Sequence, residues 1–388
     1  MDRESSSDPK STGGPAEPNE GIAHELADYA ELELAELAEL AEDAAEPPAK
    51  PRRWWVLPVR IAVSVAMLAV LVSRIPDFSW GELVPEWQPS SVAWLVTALL
   101  LTLAGIVLSA ARWQQVLGAM DIHPRFSKLV SYYFAGQFVS NVLPTTIGGD
   151  VLRISRLSGH QASREPGTNV GAALTFASVV LERLTGWLVL PALTFAGLAL
   201  NPSARELGRA TSVAVAIALG TLVGLVAILV AAGHRQLGGR LARNQGWRRF
   251  IAAVHLGVDR LRRRPRAAAG VIAAGLAFQL VLVLAAAAAA EGLGLDIATT
   301  ALLAFYPAVL ISQVLPIGIS GLGVRESAFV MFLTPLGVPA SQAVALGLML
   351  YLLNLAASLA GAPAFALGSR SGDAGPGTGA DTGTGADT

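Results

Sequence analysis

Four stretches of the chain, residues 91–111, 213–232, 267–290 and 341–369, contain no Asp, Glu, Lys or Arg. Each reaches or exceeds the roughly 20 residues that a helix needs to cross the hydrocarbon core of a bilayer. In lipid a helix satisfies its own backbone hydrogen bonds, so such runs fold there at no cost in unpaired polar groups. Charged residues make up 15% of the chain, against about a quarter in ordinary soluble domains. The pattern predicts an all-α polytopic membrane protein.

Full spans are expected near residues 56–74, 91–111, 169–200, 210–232, 268–290 and 341–367, about six in all. The segment 169–200 carries Glu182 and Arg183 in its middle, and reads equally as one long span or two shorter pieces. Lys and Arg in the short loops set the orientation. Residues 233–267 hold ten arginines against one aspartate, and Arg112, Arg125 and Lys128 mark a second basic loop. Residues 75–90 carry Asp77, Glu82 and Glu86 with no basic residue after Arg74. With both termini in the cytoplasm of a cell whose inner membrane holds the protein, these six spans alternate correctly. The scheme closes only when residues 129–157 and 301–330 enter and leave on the same side, as two re-entrant helical hairpins.

The flanks differ from this body. Residues 1–49 hold 14 acidic and two basic residues. They are expected to form a disordered acidic cytoplasmic region, with helix favoured over 22–44 and no secretory signal pattern at the start. The sharper reading of that acidic helix is a docking element for a protein partner. The transmembrane domain is assigned to 50–368, and the Gly/Thr/Asp-rich residues 369–388 to a disordered tail. With no cysteine, and five histidines in no ligand spacing, neither a metal, a cofactor nor a catalytic residue is assigned. Nothing points to nucleic acid.

The hairpin sequences "SNVLPTTIGGDVLRI" (140–154) and "SQVLPIGISGLGVRE" (312–326) resemble each other at an offset of 172. Ser140/Ser312, Val142/Val314, Leu143/Leu315, Pro144/Pro316, Ile147/Ile319, Gly149/Gly321 and Arg153/Arg325 are identical pairs, and Asn141 faces Gln313. The same shift carries the span starting at 169 onto the one starting at 341. Halves at about 91–200 and 268–367 are therefore expected, separated by one extra span and so inverted, an arrangement recurrent in transporters.

Within each hairpin, Pro144 and Pro316 end the first half-helix, and Gly148, Gly318 and Gly323 permit the return. The second half-helix starts near Gly149 or Gly321, where free N–H groups and the helix dipole favour an anion. Arg153 and Arg325 follow within about a turn and suit bidentate contact with phosphate. A lipid headgroup supplies that anion in this setting. Asn141 and Gln313 join as substrate-contacting amides or satisfy freed backbone groups. Asp150, Glu182, Arg183 and Glu326 are assigned gating or tuning roles. Plainer readings stand beside these: Asp150 and Arg153, three apart, also suit a local ion pair; Glu182-Arg183 also suits a helix junction at the interface. Arg112 beside Trp113 reads as an interfacial anchor, while adjacent Arg325 and Glu326 are expected to face different partners.

The segments "LSAARWQQVL", "YYFAGQFVSNVLPTTIGGDVLRISRL", "LERLTGW" and "LPIGISGLGVRESAF" together resemble the lysylphosphatidylglycerol synthase transmembrane region, or flippase-like domain family, over about 55–368. The resemblance implies a membrane domain that translocates lipid. In the multiple peptide resistance factor a domain of this kind is fused to an aminoacyltransferase that lysylates phosphatidylglycerol. The 388 residues here leave no room for that enzyme domain, so translocation without synthase chemistry is expected. The cargo implied is an anionic phospholipid or a polyprenyl-phosphate lipid. The alternative is a non-transporting membrane partner or regulator of a lipid- or glycan-modifying enzyme.

Overall fold

A computed structural model of the chain describes residues 56–75, 87–142, 148–162, 170–233, 254–255, 257–314 and 321–370. The expectations for residues 1–49, for the tail after 370, for Pro144, Pro316 and Gly318, and for most of the loops at 75–90 and 233–267 lie outside the described residues.

The described residues form helices and turns with no strand. The longer helices, in order, are α1 (Val56–Ser73), α2 (Pro89–Ala119), α3 (Phe126–Val142), α4 (Gly148–Ala162), α5 (Val170–Leu200), α6 (Arg209–Gly233), α7 (Pro265–Gly292), α8 (Thr299–Ser312), α9 (Val324–Leu333), α10 (Ala340–Leu359) and α11 (Ala362–Arg370). Proline at the first helical position starts α2 and α7, where its missing N–H costs nothing. Five helices, α2, α5, α6, α7 and α10, are long and apolar enough to span a membrane; α1 is a further apolar helix of 18 residues. Residues 170–200 form one helix with Pro191 inside it, rather than two shorter pieces. The expected last span is instead broken at Ala360-Gly361 into α10 and α11. A Cβ on Gly361 would collide with the carbonyl of Phe134, so the break brings backbone against backbone where a side chain does not fit.

The repeat is visible as structure. Shifted by 172, the bounds of α2 become 261 and 291, against the observed Pro265 and Gly292; those of α3 become 298 and 314, against Thr299 and Ser312. α5 maps in the same way onto α10 and α11 together. The C-termini of α2 and α7 also close identically. Ile122 N–H donates to the Leu117 carbonyl and Leu295 N–H to that of Ala290, with Asp121 and Gly294 left-handed at φ 61° and 71°. That is the Schellman motif in both copies.

The equivalent helices α2 and α7 pack along their length in opposite directions. Gly292 lies against Leu95, Gly105 against Phe278 and Leu282, and Gly270 against Gln115. One number climbs as the other falls, so the halves are inverted. Each pair of short helices is an antiparallel hairpin. In the first, Gly149 abuts the Gly136 carbonyl. In the second, Phe305 stacks on Phe332 at 5.3 Å and Tyr306 on Phe329 at 5.8 Å. Small residues let helix backbones approach where lipid supplies no hydrophobic drive, and Gly197 against Ala304 makes the same contact between α5 and α8.

Charge at one end of the molecule agrees with the loop analysis. Arg264, just before α7, pairs with Asp121 at 2.7 Å and donates to the Gly118 carbonyl at the end of α2. Arg260 reaches the same carboxylate at 3.3 Å. The Arg264 hydrogen bond holds the Asp121 carboxyl below its usual range. The two basic loops therefore share one side.

Candidate functional site: an arginine-rich cavity between the hairpins

Both hairpins, with α2, α5, α7 and α10, enclose a cavity of about 330 Å³. Its most charged wall is built around Glu182, fully buried at the middle of α5. Glu182 Oε1 accepts from Arg112 Nη2 at 2.7 Å and from the Tyr133 hydroxyl at 2.6 Å; Oε2 accepts from Arg153 Nη1 at 3.0 Å. Arg153 also donates to Asp150 at 2.6 Å, and Arg183 grips Asp150 through Nε and Nη2 at 2.7–3.2 Å. The Arg153 guanidinium lies 4.2 Å from the Tyr133 ring centroid and 5.0 Å from that of Trp113. Trp113 is fixed in turn by its indole N–H on Ser178 at 3.0 Å. A buried ion pair is stabilised when further hydrogen bonds satisfy its remaining groups, and both oxygens of Glu182 and of Asp150 accept from at least one donor.

The second hairpin contributes Arg325, over the Tyr351 ring at 5.3 Å and paired with Glu326 at 3.1 Å. This corrects the expectation that these neighbours face away from each other: the long guanidinium arm folds sideways across the first turn. Glu326 Oε2 in addition accepts from the Gly323 N–H at 2.6 Å. The N-terminus of α9 is thus occupied by the chain's own carboxylate, so the anion site expected at that helix start is already filled. α9 also begins three residues after Gly321, whose φ of 74° and tight contact with Gln313 (2.6 Å to a Cβ) make it the turn rather than the helix start. Gly323, at φ 87°, completes the same turn.

The remaining expected residues divide. Arg153, Arg325, Gly149, Asp150, Arg183 and Gln313 line the cavity. Glu182 and Glu326 sit behind it and hold its arginines. Asn141 is directed at the Asn354 carbonyl, at 3.5 Å, so it faces α10. Gly148 heads α4. Of the plainer readings, the Asp150–Arg153 pair is present as part of the larger network, and Glu182-Arg183 lies mid-helix beside the cavity.

Arg112 is the main correction. It is 5% exposed, far from an interfacial anchor, with its guanidinium 5.1 Å from the Phe278 ring centroid. Its Nε and Nη1 have no hydrogen-bond partner, and neither has Oε1 of buried Gln279 on the same cavity. Buried donors left unpaired are costly and uncommon. Sequence reasoning also passed over Tyr133, Gln137 and Asn354 as functional residues. Gln137 Nε2 donates to Asn354 Oδ1 at 3.0 Å, and Asn354 stands 172 positions after Glu182. Extending the repeat beyond the hairpins would have found it.

The family described as the lysylphosphatidylglycerol synthase TM region matches residues 58–361. The chain belongs to that family. No curated protein and no solved structure gives a significant match. As a lysylphosphatidylglycerol synthase TM-region protein it is a membrane-embedded, multi-pass protein of a flippase-like family. The matched region takes in both hairpins and every charged residue of the cavity wall.

Proposed function

We propose that this domain moves an anionic lipid between membrane leaflets, with the headgroup phosphate passing through the cavity between the hairpins. One observation carries the reading. Arg112, Arg153, Arg183 and Arg325 face the cavity, while among the described residues Asp150, Glu182 and Glu326 balance them, leaving one positive charge in excess. Arg112 keeps two buried donors without a partner in the protein. A guanidinium offering paired N–H groups is suited to phosphate, and an intramembrane charge is retained for function. The cavity matches the smaller end of small-molecule pockets, about 300 Å³, which suits a headgroup while the acyl chains remain in lipid.

In this reading the hairpins alternate which side reaches the cavity, and the domain carries out no bond-making chemistry of its own. The lipid of choice is an anionic phospholipid or polyprenyl phosphate in a cytoplasmic membrane, with both termini on the cytoplasmic side.

The test is lipid movement in proteoliposomes of purified protein. Arg153 is a poor first target, because it is committed to Glu182, Asp150 and two rings. Arg112→Gln removes the free donors and leaves Glu182 its bonds from Arg153 and Tyr133. Wild type is expected to accelerate movement of tail-labelled phosphatidylglycerol over empty vesicles, and Arg112→Gln to lose about tenfold, roughly one charged hydrogen bond. No acceleration for any anionic lipid would overturn the reading and favour the non-transporting partner role.

A further inference from the structure

We infer that the basic face where α2 ends and α7 begins is an interaction surface for the chain's own acidic segment, residues 22–44. The surface lies outside the cavity, and the inference is independent of lipid movement.

Arg125 and Lys128 flank the start of α3, and Arg260, Arg262, Arg263, Arg264 and Arg266 lead into α7. The contacts of Arg264 with Asp121 and the Gly118 carbonyl hold the start of α7 against the end of α2, so these seven basic residues share one end of the molecule. Two carboxylates answer them among the described residues. Asp121 takes Arg260 and Arg264, and Asp259 takes Arg263 at 2.8 Å. Arg262 and Arg266 are exposed and pair with no carboxylate among the described residues. Five positive charges stand in excess, and Asp259, Arg260, Arg263 and Arg264 frame an open cleft of about 200 Å³.

Local structure does not call for this excess. Both α3 and α7 begin at the face, and neither has an acidic residue in its first turn. The N-terminus of a helix is the positive end of its dipole, so basic residues gathered there are repelled rather than held. A one-signed surface of this kind attracts a partner of opposite charge.

The chain itself carries such a partner. Residues 22–44 hold eight carboxylates and no Lys or Arg, a block of one sign typical of interaction segments. With α1 and α2 crossing in succession, the chain before α1 emerges on the face where α2 ends. Asp43 lies 13 positions before Val56, enough to span about 43 Å when extended, or roughly four helix diameters. The segment therefore reaches the arginines from its point of attachment. Anionic lipid in the adjoining leaflet is drawn to the same residues. The segment has the advantage of its tether, which holds its carboxylates close at an effective concentration of about a millimolar.

The experiment uses the full chain in lipid vesicles and a membrane-permeant bis-maleimide. The chain has no cysteine, so Ala38→Cys in the acidic segment and Ser127→Cys, exposed on the basic face, form the sole reactive pair. An intramolecular cross-link is expected at low salt, both in phosphatidylcholine and in vesicles that also contain phosphatidylglycerol. Its yield is expected to fall severalfold at about 1 M salt, where charges more than about 3 Å apart are screened. Arg262→Gln with Arg266→Gln breaks no ion pair, so an unchanged melting profile is expected together with a severalfold lower yield at low salt. Absence of the cross-link, or a yield indifferent to salt and to the two substitutions, overturns the inference. A cross-link lost when phosphatidylglycerol is present assigns the face to lipid, and a cross-linked dimer assigns it to the segment of a second copy; either result overturns it as well.

Discussion

Glu182 is the residue on which the cavity wall depends, because three helices meet at its two oxygens. Arg112 on α2, Tyr133 on α3 and Arg153 on α4 all donate to it. Its replacement leaves Arg153 with Asp150 alone and Arg112 with no carboxylate. Removing one partner of a buried pair costs about 3–5 kcal/mol, chiefly because the other charge stays buried. Glu182→Gln, nearly the same shape, is therefore expected to lower the melting temperature clearly in detergent and to abolish lipid movement. Tyr133→Phe removes a single donor to the carboxylate and is expected to cost less, about 1.5–3 kcal/mol. A melting profile for Glu182→Gln that matches wild type would show the network to be dispensable for folding. Such an arrangement was only half legible in the sequence. Glu182 and Arg183 stood out because charge in an apolar run is conspicuous. Arg112 did not, because it ends an uncharged run beside a tryptophan, as anchors do. Only the packing of α7 across α2, which lays Phe278 over the guanidinium, shows it to be buried.

At the scale of elements, the hairpins were readable from their proline and glycine residues, while the means of their closure was not. The first is closed by backbone contact, since Gly149 sits where any Cβ would strike the Gly136 carbonyl and the Ser140 hydroxyl. The second is closed by stacked aromatic rings and a left-handed turn at Gly321 and Gly323. Identical sequence positions thus serve different local purposes, and a repeat in sequence does not reveal which. The same limit explains the filled helix start of α9, where Glu326 reaches back to Gly323 (a contact that depends on the side-chain rotamer). Gly149→Ala tests the first closure directly. Backbone cannot shift as a flexible side chain can, so the methyl group is expected to part α3 from α4, move Arg153 off Glu182 and lower both melting temperature and activity. Gly159→Ala on the same helix meets nothing within 4 Å and is expected to be neutral or slightly stabilising, since alanine favours helix by about 1 kcal/mol over glycine. Equal stability of the two variants would show that the close approach is not needed.

For the whole molecule, inversion is the property with the widest consequence, because it places equivalent loops on opposite membrane faces. α2 and α7 run antiparallel and end in the same Schellman turn, so the turn after Asp121 and the turn after Gly294 emerge at opposite ends of the molecule. Arg264 and Arg260 lie at the Asp121 end, and basic loops stay on the cytoplasmic side. The chain has no cysteine of its own, so a single introduced thiol reports its position without background. His123 and Asp296 are exposed residues just past the two turns. In sealed right-side-out vesicles, His123→Cys is expected to resist a membrane-impermeant maleimide until detergent is added, and Asp296→Cys to react at once. Reaction of both from the same side would mean that one hairpin crosses the membrane fully. The two halves would then be parallel with respect to the bilayer, and a cavity reached alternately through symmetry-related hairpins would lose its structural basis.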